Sequence, residues 1–171
     1  VYGIEAIAPN DVWFFGEGFY GGSPLVPDPA LAMHWNGSSF QLTSVPSVNP
    51  QTSGFGDGNS LHDGSALASN DLWAVGAASD GDSMPSAHSQ IQHWNGSSWT
   101  PMPAGSMPGV WHDLNAVAAI APNDVWVAGE YFDGDYHGLS LHWDGSSWTQ
   151  VPIPGGVSDL YAFASNDVYA V

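Results

Sequence analysis

Seventeen carboxylates and seven histidines supply nearly all the acid–base and metal-binding chemistry open to this 171-residue chain, which has no lysine, arginine or cysteine. Two acid pairs have metal-ligand spacing. Asp80-Gly81-Asp82 and Asp133-Gly134-Asp135 place carboxylates one residue apart around a glycine that permits a bend, so Asp80, Asp82, Asp133 and Asp135 are candidate oxygen ligands for Ca²⁺. Asp-Gly is equally a favoured turn dipeptide, and Asp57-Gly58-Asn59 is a weaker version of the pattern. His34, His93 and His142 each precede a tryptophan. Their regular recurrence points to a repeated hydrogen bond, to a neighbouring strand or to a turn such as Asn-Asp, rather than to one shared ion. His62, His88, His112 and His137 do not recur cleanly, and His112 beside Trp111 and His137 beside Tyr136 are the better binding candidates. Asp63 and Asp159 align with each other as inner acids placed to ring a central channel, the ingredients of a general acid–base pair. No Ser/His/Asp signature, phosphate loop or HExxH motif is present.

These residues sit in a unit that occurs three times and starts a fourth. AIAPNDVWFFG, ALASNDLWAVG, AIAPNDVWVAG and AFASNDVYAV begin at Ala6, Ala66, Ala119 and Ala162, and Asp11, Asp71, Asp124 and Asp167 stand 60, 53 and 43 residues apart. Partner segments HWNGSSFQLTSVP, HWNGSSWTPMP and HWDGSSWTQVP follow the first three. A period near 50 with strand-like content signals a propeller or solenoid array. In the third unit, LNAVAAI from Leu114 suits a tightly packed inner strand, Ala121-Pro122-Asn123-Asp124 a turn, and VWVAG to Gly129 a strand apolar on both faces. A looser stretch follows from Glu130 to Gly138, then two alternating strands around Asp144-Gly145, which reads as a type I′ hairpin turn. Each unit is thus four antiparallel strands, A to D. The expected fold is all-β: a β-propeller of four-stranded blades, three full blades plus half of a fourth, forming part of a larger propeller. The chain reads as a single region over 1–171, with repeats near 1–46, 61–103, 114–152 and, in part, 157–171. A parallel β-helix fits less well, because its coils are shorter and lack two hairpin turns per repeat.

The NDVWVAG and HWNGSSW phrases resemble a repeat of secreted and cell-surface bacterial proteins, in the broad propeller class beside kelch and BNR-type repeats. The resemblance spans essentially the whole chain. It implies an extracellular or cell-surface bacterial setting, and it is specific for the repeat rather than for an activity. HWDGSSW is similar to an Asp-box, but Asp144 and Trp148 are one residue too close, so sialidase chemistry does not carry over. The double glycine of kelch repeats is also missing from its expected place.

Formal net charge is −17. A phosphate-rich partner needs cations, so nucleic acid and anionic membranes are poor partners. No run of about 18 apolar residues is present, so no membrane insertion is expected. Val1 is not a natural start, so a processed or trimmed chain is expected. Asn36-Gly-Ser and Asn95-Gly-Ser are formal glycosylation sequons, which turn chemistry already explains.

The A–B and C–D turns are short and constant, while the B–C and D–A connections are long and variable: 17–33, 77–92 and 130–141, and 46–60, 103–113 and 152–156. Long irregular loops on a rigid scaffold are where binding sits. The candidate ligand-binding residues there are Glu17, Phe19, Tyr20, Trp111, His112, Glu130, Tyr131, Phe132, Tyr136 and His137. The expectation is a non-enzymatic extracellular module that binds a carbohydrate or protein ligand on this acidic, aromatic face, with structural Ca²⁺, and that can self-associate through incomplete blades. The alternatives are a structural component of a surface layer, sheath or filament, and a fragment of a carbohydrate-active propeller enzyme.

Overall fold

Residues 1–18, 29–48, 57–80 and 87–171 are described by a computed structural model, with Asp57, Asp80 and Ala87 described through their backbone only. Phe19, Tyr20 and Asp82 lie outside the described residues. The architecture is all-β. The first sheet holds β1 (Gly3–Ala8), β2 (Asp11–Glu17), β3 (Ala30–Trp35) and β4 (Phe40–Thr43). The second holds β5 (Asp57–Ala68), β6 (Asp71–Asp80), β7 (Ala87–Trp94) and β8 (Trp99–Pro101). The third holds β9 (Trp111–Ala121), β10 (Asp124–Phe132), β11 (Tyr136–Trp143) and β12 (Trp148–Gln150). β13 (Leu160–Ala164) and β14 (Asp167–Ala170) form a two-stranded fourth sheet. Neighbours in sequence are neighbours in the sheet, and every pairing is antiparallel.

The core lies between sheets rather than within one. Side chains alternate across each strand, so each sheet turns one face to its predecessor and the other to its successor. Trp13 and Phe15 of β2 pack with Leu61, Leu72, Ala74 and Trp99 of the second sheet. Trp73 and Val75 of β6 pack in the same way with Val117, Val125, Val127, Leu139 and Leu141 of the third. This explains why the NDVW strand is apolar on both faces: Val125 and Val127 look back while Trp126 looks forward. The repeated tryptophan is the joint. Trp13 lies edge-on to Trp94 (5.1 Å) and Trp99 (5.6 Å), and Trp73 meets Trp143 (6.0 Å) and Trp148 (5.8 Å).

Polar links cross the same junctions. Glu5 accepts from the Ala66 N–H (3.0 Å), Asp63 from Val117 (2.9 Å) and the Ser65 hydroxyl from Ala119 (3.1 Å). A bulge in β5 puts His62 opposite the Val75–Gly76 step, and a matching bulge in β9 displaces Asn115 opposite Ala128–Gly129. The strand glycines belong to this bulge, since a Cβ on Gly76 would lie 2.0 Å from the Ser60 carbonyl oxygen and one on Gly129 2.1 Å from that of Asp113. Both displaced side chains reach forward: His62 Nδ1 lies 3.1 Å from the Leu114 carbonyl of β9, and Asn115 donates to Val157 (3.0 Å), in the connection that leads to β13.

Two local expectations are corrected. The C–D turn is not type I′. Trp35 pairs with Phe40 and Trp94 with Trp99, leaving four-residue loops in which only the glycines Gly37, Gly96 and Gly145 take positive φ. Asn36, Asn95 and Asp144 serve as acceptors instead, each taking the backbone N–H groups two and three residues on at 2.8–3.0 Å. The hydroxyl of Ser146 and the N–H groups of Ser147 and Ser146 hold the Asp144 carboxyl down at about 2. Secondly, Glu130 to Gly138 is not loose: β10 and β11 stay paired up to Phe132 and Tyr136. Aromatic cross-strand pairs favour that extension.

Candidate functional site

The repeated histidines have a structural task. His34, His93 and His142 bond Asp11, Asp71 and Asp124 at 2.7, 2.8 and 2.8 Å, and each lies against the junction tryptophan of its own sheet at 4.4–4.6 Å. The Ser69 hydroxyl donates to the other Asp11 oxygen, and Ser165 bonds Asp124 in the same way, which stitches these turns to the next sheet. Pro122 takes that place at the second junction and has no hydroxyl to offer. In these groups the serine bonds the carboxylate and not the imidazole, so no base is set against a nucleophile.

The opposite end carries the non-repeating residues. The three-stranded extension of β9, β10 and β11 aligns Trp111, Phe132 and Tyr136 in one row and His112, Tyr131 and His137 in the next. Successive residues point to opposite faces, so the two rows are back to back. On one face Tyr136 lies 5.9 Å from Trp111, edge to face, and 5.0 Å from Phe132, with its ring exposed. On the other His137 stacks on Tyr131 at 5.0 Å and bonds Asp133 at 3.1 Å. Sequence reasoning named all six residues; strand pairing decides that they form two groups. Glu17 and Glu130 hold equivalent places two sheets apart, and Glu17 accepts from the Tyr2 hydroxyl at 2.7 Å, a bond that raises the phenol pKa.

Behind the histidine row, a cleft of about 400 Å³ opens between the second and third sheets. Ile91, Met102 and Met107 give it an apolar wall, and His88 and His112 meet across it with ring centres 6.0 Å apart. His112 is nine-tenths buried. Burial, and the neighbouring His88, lower its pKa, so the ring is neutral at pH 7. Two buried polar atoms of the cleft residues, His112 Nδ1 and Ser89 Oγ, have no hydrogen-bond partner among the described residues. A buried polar atom left unpaired costs about 1–3 kcal/mol, so such atoms call for a water or a ligand group. The sequence marked His112 as a candidate but not His88, Ser89 or the methionines, which sit far apart along the chain.

A second cavity, of about 290 Å³, is lined from all four inner strands and contains Glu5, Asp63 and Asp159. Asp63 and Asp159, which the sequence aligned as inner acids, thus line one cavity, and Glu5 joins them there. Burial, opposed by the N–H groups of Val117 and Gly64 and aided by the charges of Asp159 and Glu5, pushes the Asp63 carboxyl up from 3.8 to about 6. Nearby, His62 is a group that sequence reasoning left aside. Burial works against its charge, but Asp113, 3.1 Å away, outweighs this and its pKa is raised.

The calcium candidates divide. Asp133 and Asp135 share an exposed turn with Gly134 at φ +127° and supply two carboxylates, whereas Ca²⁺ takes six to eight oxygens. Asp80 ends β6, opposite Asp57, and its partner Asp82 is outside the described residues. Among the described residues no group of three or more His, Cys, Asp or Glu side chains is placed to hold a metal. Nor does any described helix have the length and apolar character to cross a membrane. No protein-family model matches the chain, and a search of curated proteins finds no match.

Proposed function

We propose that the chain is part of a bacterial extracellular or cell-surface β-propeller, and that it works as a binding module rather than an enzyme. Supporting the fold reading, consecutive four-stranded sheets stack face to face while their first strands line one cavity. Supporting the absence of catalysis at the repeated motif, the pairs His34–Asp11, His93–Asp71 and His142–Asp124 are each tied into a turn and spend their hydrogen bonds there.

The binding site in this reading is the cleft between the second and third sheets. The observation that carries it is the pair of unpartnered buried atoms, Ser89 Oγ and His112 Nδ1, beside an apolar wall. An extended segment of a protein partner fits this chemistry: one apolar side chain against Ile91, Met102 and Met107, and backbone amides for the polar atoms. The net charge of −17 steers a segment with basic flanks towards the surface. Labelled peptides with an apolar anchor flanked by Lys or Arg are expected to bind, and to weaken as salt is added. Met107→Trp, which fills the recess, should reduce affinity about tenfold or more. Acidic and basic peptides binding alike, or unchanged affinity in the filled variant, would count against the site.

The exposed Tyr136 beside Trp111 and Phe132 favours a second reading, a carbohydrate stacked on that row with hydroxyls bonding the nearby carboxylates. Tyr136→Ala is expected to abolish retention on neutral polysaccharide columns while leaving peptide binding intact. The reverse pattern would exclude the carbohydrate. Calcium enters as a peripheral ligand at Asp133 and Asp135, with water completing its shell. A rise in Tm on adding CaCl₂ that disappears in Asp133→Asn is the expected result, and no rise would remove calcium.

A further inference from the structure

The histidines divide by what their ring nitrogens meet. His34, His93 and His142 bond the aspartates of the turns, His137 bonds Asp133, and His62 is held between Ser60 and the Leu114 carbonyl. His88 and His112 instead face each other across the cleft between the second and third sheets, with ring centres 6.0 Å apart. His112 is nine-tenths buried, and its Nδ1 has no hydrogen-bond partner among the described residues. Burial and the neighbouring His88 keep this ring neutral. A neutral imidazole with its proton on Nε2 presents an unshared lone pair at Nδ1, the form that ligates a metal.

The separation of the two rings fits one shared ion. Metal–nitrogen bonds of about 2.0–2.1 Å, with each ring centre about 1.1 Å beyond its nitrogen, put two such centres about 5 Å apart at a tetrahedral angle and about 6.4 Å apart in a line. The observed 6.0 Å lies between these limits. The remaining donors choose the ion. None of the residues that line the cleft is a carboxylate, and among the described residues no third His, Cys, Asp or Glu joins the two rings. The oxygens that Ca²⁺ needs and the four nitrogen, thiolate or carboxylate ligands of Zn²⁺ are therefore not assembled here. Two thioethers are: Met102 and Met107 line the same cleft, in a chain with four methionines and no cysteine. Each sulfur sits on an unbranched side chain with three rotatable bonds, so it can turn to an ion without moving the backbone. Thioether ligands select Cu⁺ among the first-row metals.

We infer that His88, His112 and the thioethers of Met102 and Met107 bind one soft monovalent ion, Cu⁺, in the cleft between the second and third sheets. This goes beyond the peptide reading of the cleft and does not rest on it; the ion and a peptide amide compete for His112 Nδ1. The net charge of −17 favours the arrival of any cation at this surface. His88 stands on β7 and His112 on β9. An ion held by both rings thus clamps two sheets together, and loading raises the stability of the folded chain.

Calorimetric titration of the untagged 171-residue chain with Ag⁺ in chloride-free buffer tests this, Ag⁺ standing in for Cu⁺ without its redox chemistry. One tight equivalent per chain is expected, with a rise in Tm, and Cu⁺ kept reduced by ascorbate should compete for it. His88 is exposed, so His88→Ala leaves the fold intact. It should weaken binding by at least about tenfold, the loss that even an outer-shell partner causes at a metal site. Met102→Leu combined with Met107→Leu keeps an apolar wall of similar volume and should weaken Ag⁺ and Cu⁺ by a similar factor. Near-UV circular dichroism of the tryptophans checks that each variant is folded. No tight equivalent of Ag⁺ or Cu⁺, undiminished binding in His88→Ala or in the double methionine variant, or Zn²⁺ binding more tightly than Ag⁺ overturns the inference. The titrations contain no peptide, so their failure removes the metal site alone and leaves the peptide reading to its own test.

Discussion

Trp73→Ala is expected to lower folding stability by about 3–5 kcal/mol, a large part of the roughly 5–15 kcal/mol that a typical domain possesses. The ring is buried between the second and third sheets, against His93, Trp143 and Trp148. Its removal leaves a cavity that flat, paired strands on both sides cannot close. Two comparisons make the prediction specific. Trp126→Ala removes the same residue type from the same repeat position, but the sheet it faces has only two strands, so the loss should be clearly smaller. Trp73→Phe keeps most of the packing and deletes an indole N–H that has no partner among the described residues, so its cost should also be small. Urea unfolding of the three variants measures this. Equal losses for Trp73→Ala and Trp126→Ala would mean that packing between sheets is not what holds the array together.

Asp63→Asn is expected to stabilise the protein at pH 7 by about 3 kcal/mol, or roughly 6–12 °C in Tm. The folded-state pKa of Asp63 is raised from 3.8 to about 6, chiefly by burial. Between those values the folded state binds more protons than the unfolded state, so stability falls as pH rises through that window. Below pH 4 the contribution is complete, and above pH 6 the buried charge is carried at full cost. Glu5 and Asp159 face it across the cavity and add repulsion. Asparagine keeps an oxygen for the Val117 N–H and removes the titration. The variant should therefore gain on the wild type as pH rises from 4 to 6 and hold a constant lead beyond. Asp144 and Asp124, whose pKa values are lowered, act with the opposite sign and lose their contribution only in acid. Their effect cancels in the difference between wild type and variant. A difference curve that is flat from pH 4 to 7 would show that Asp63 is not held neutral by its surroundings.

The same groups show what can be read from the chain in advance. Strand type, strand order and the tie between His34 and the Asn-Asp turn follow from local regularities. A recurring Asn-Asp, an Asn-Gly or Asp-Gly turn and a doubly apolar VW strand leave little freedom in how a unit folds. Detail fails where a residue has two ways to satisfy the same need. Asn36 can enter the left-handed region or accept backbone N–H groups, and the packing of Gly37 against Asn10 accompanies the second choice. Glu130 to Phe132 could loop or pair, and cross-strand partners at Trp111 and Tyr136 make pairing the outcome.

The sequence by itself determined the repeat, the all-β class, the positions of the turns and the absence of any cationic surface, because these depend on near neighbours and on composition. Only the tertiary structure decided which residues meet. It set His88 across from His112, closed Glu5, Asp63 and Asp159 around one cavity, and split the aromatics into two faces. These contacts join different sheets or depend on strand register, and a single-residue shift in register would turn every side chain to the other face. That information lies in how the sheets pair and pack, and no short stretch of the chain contains it.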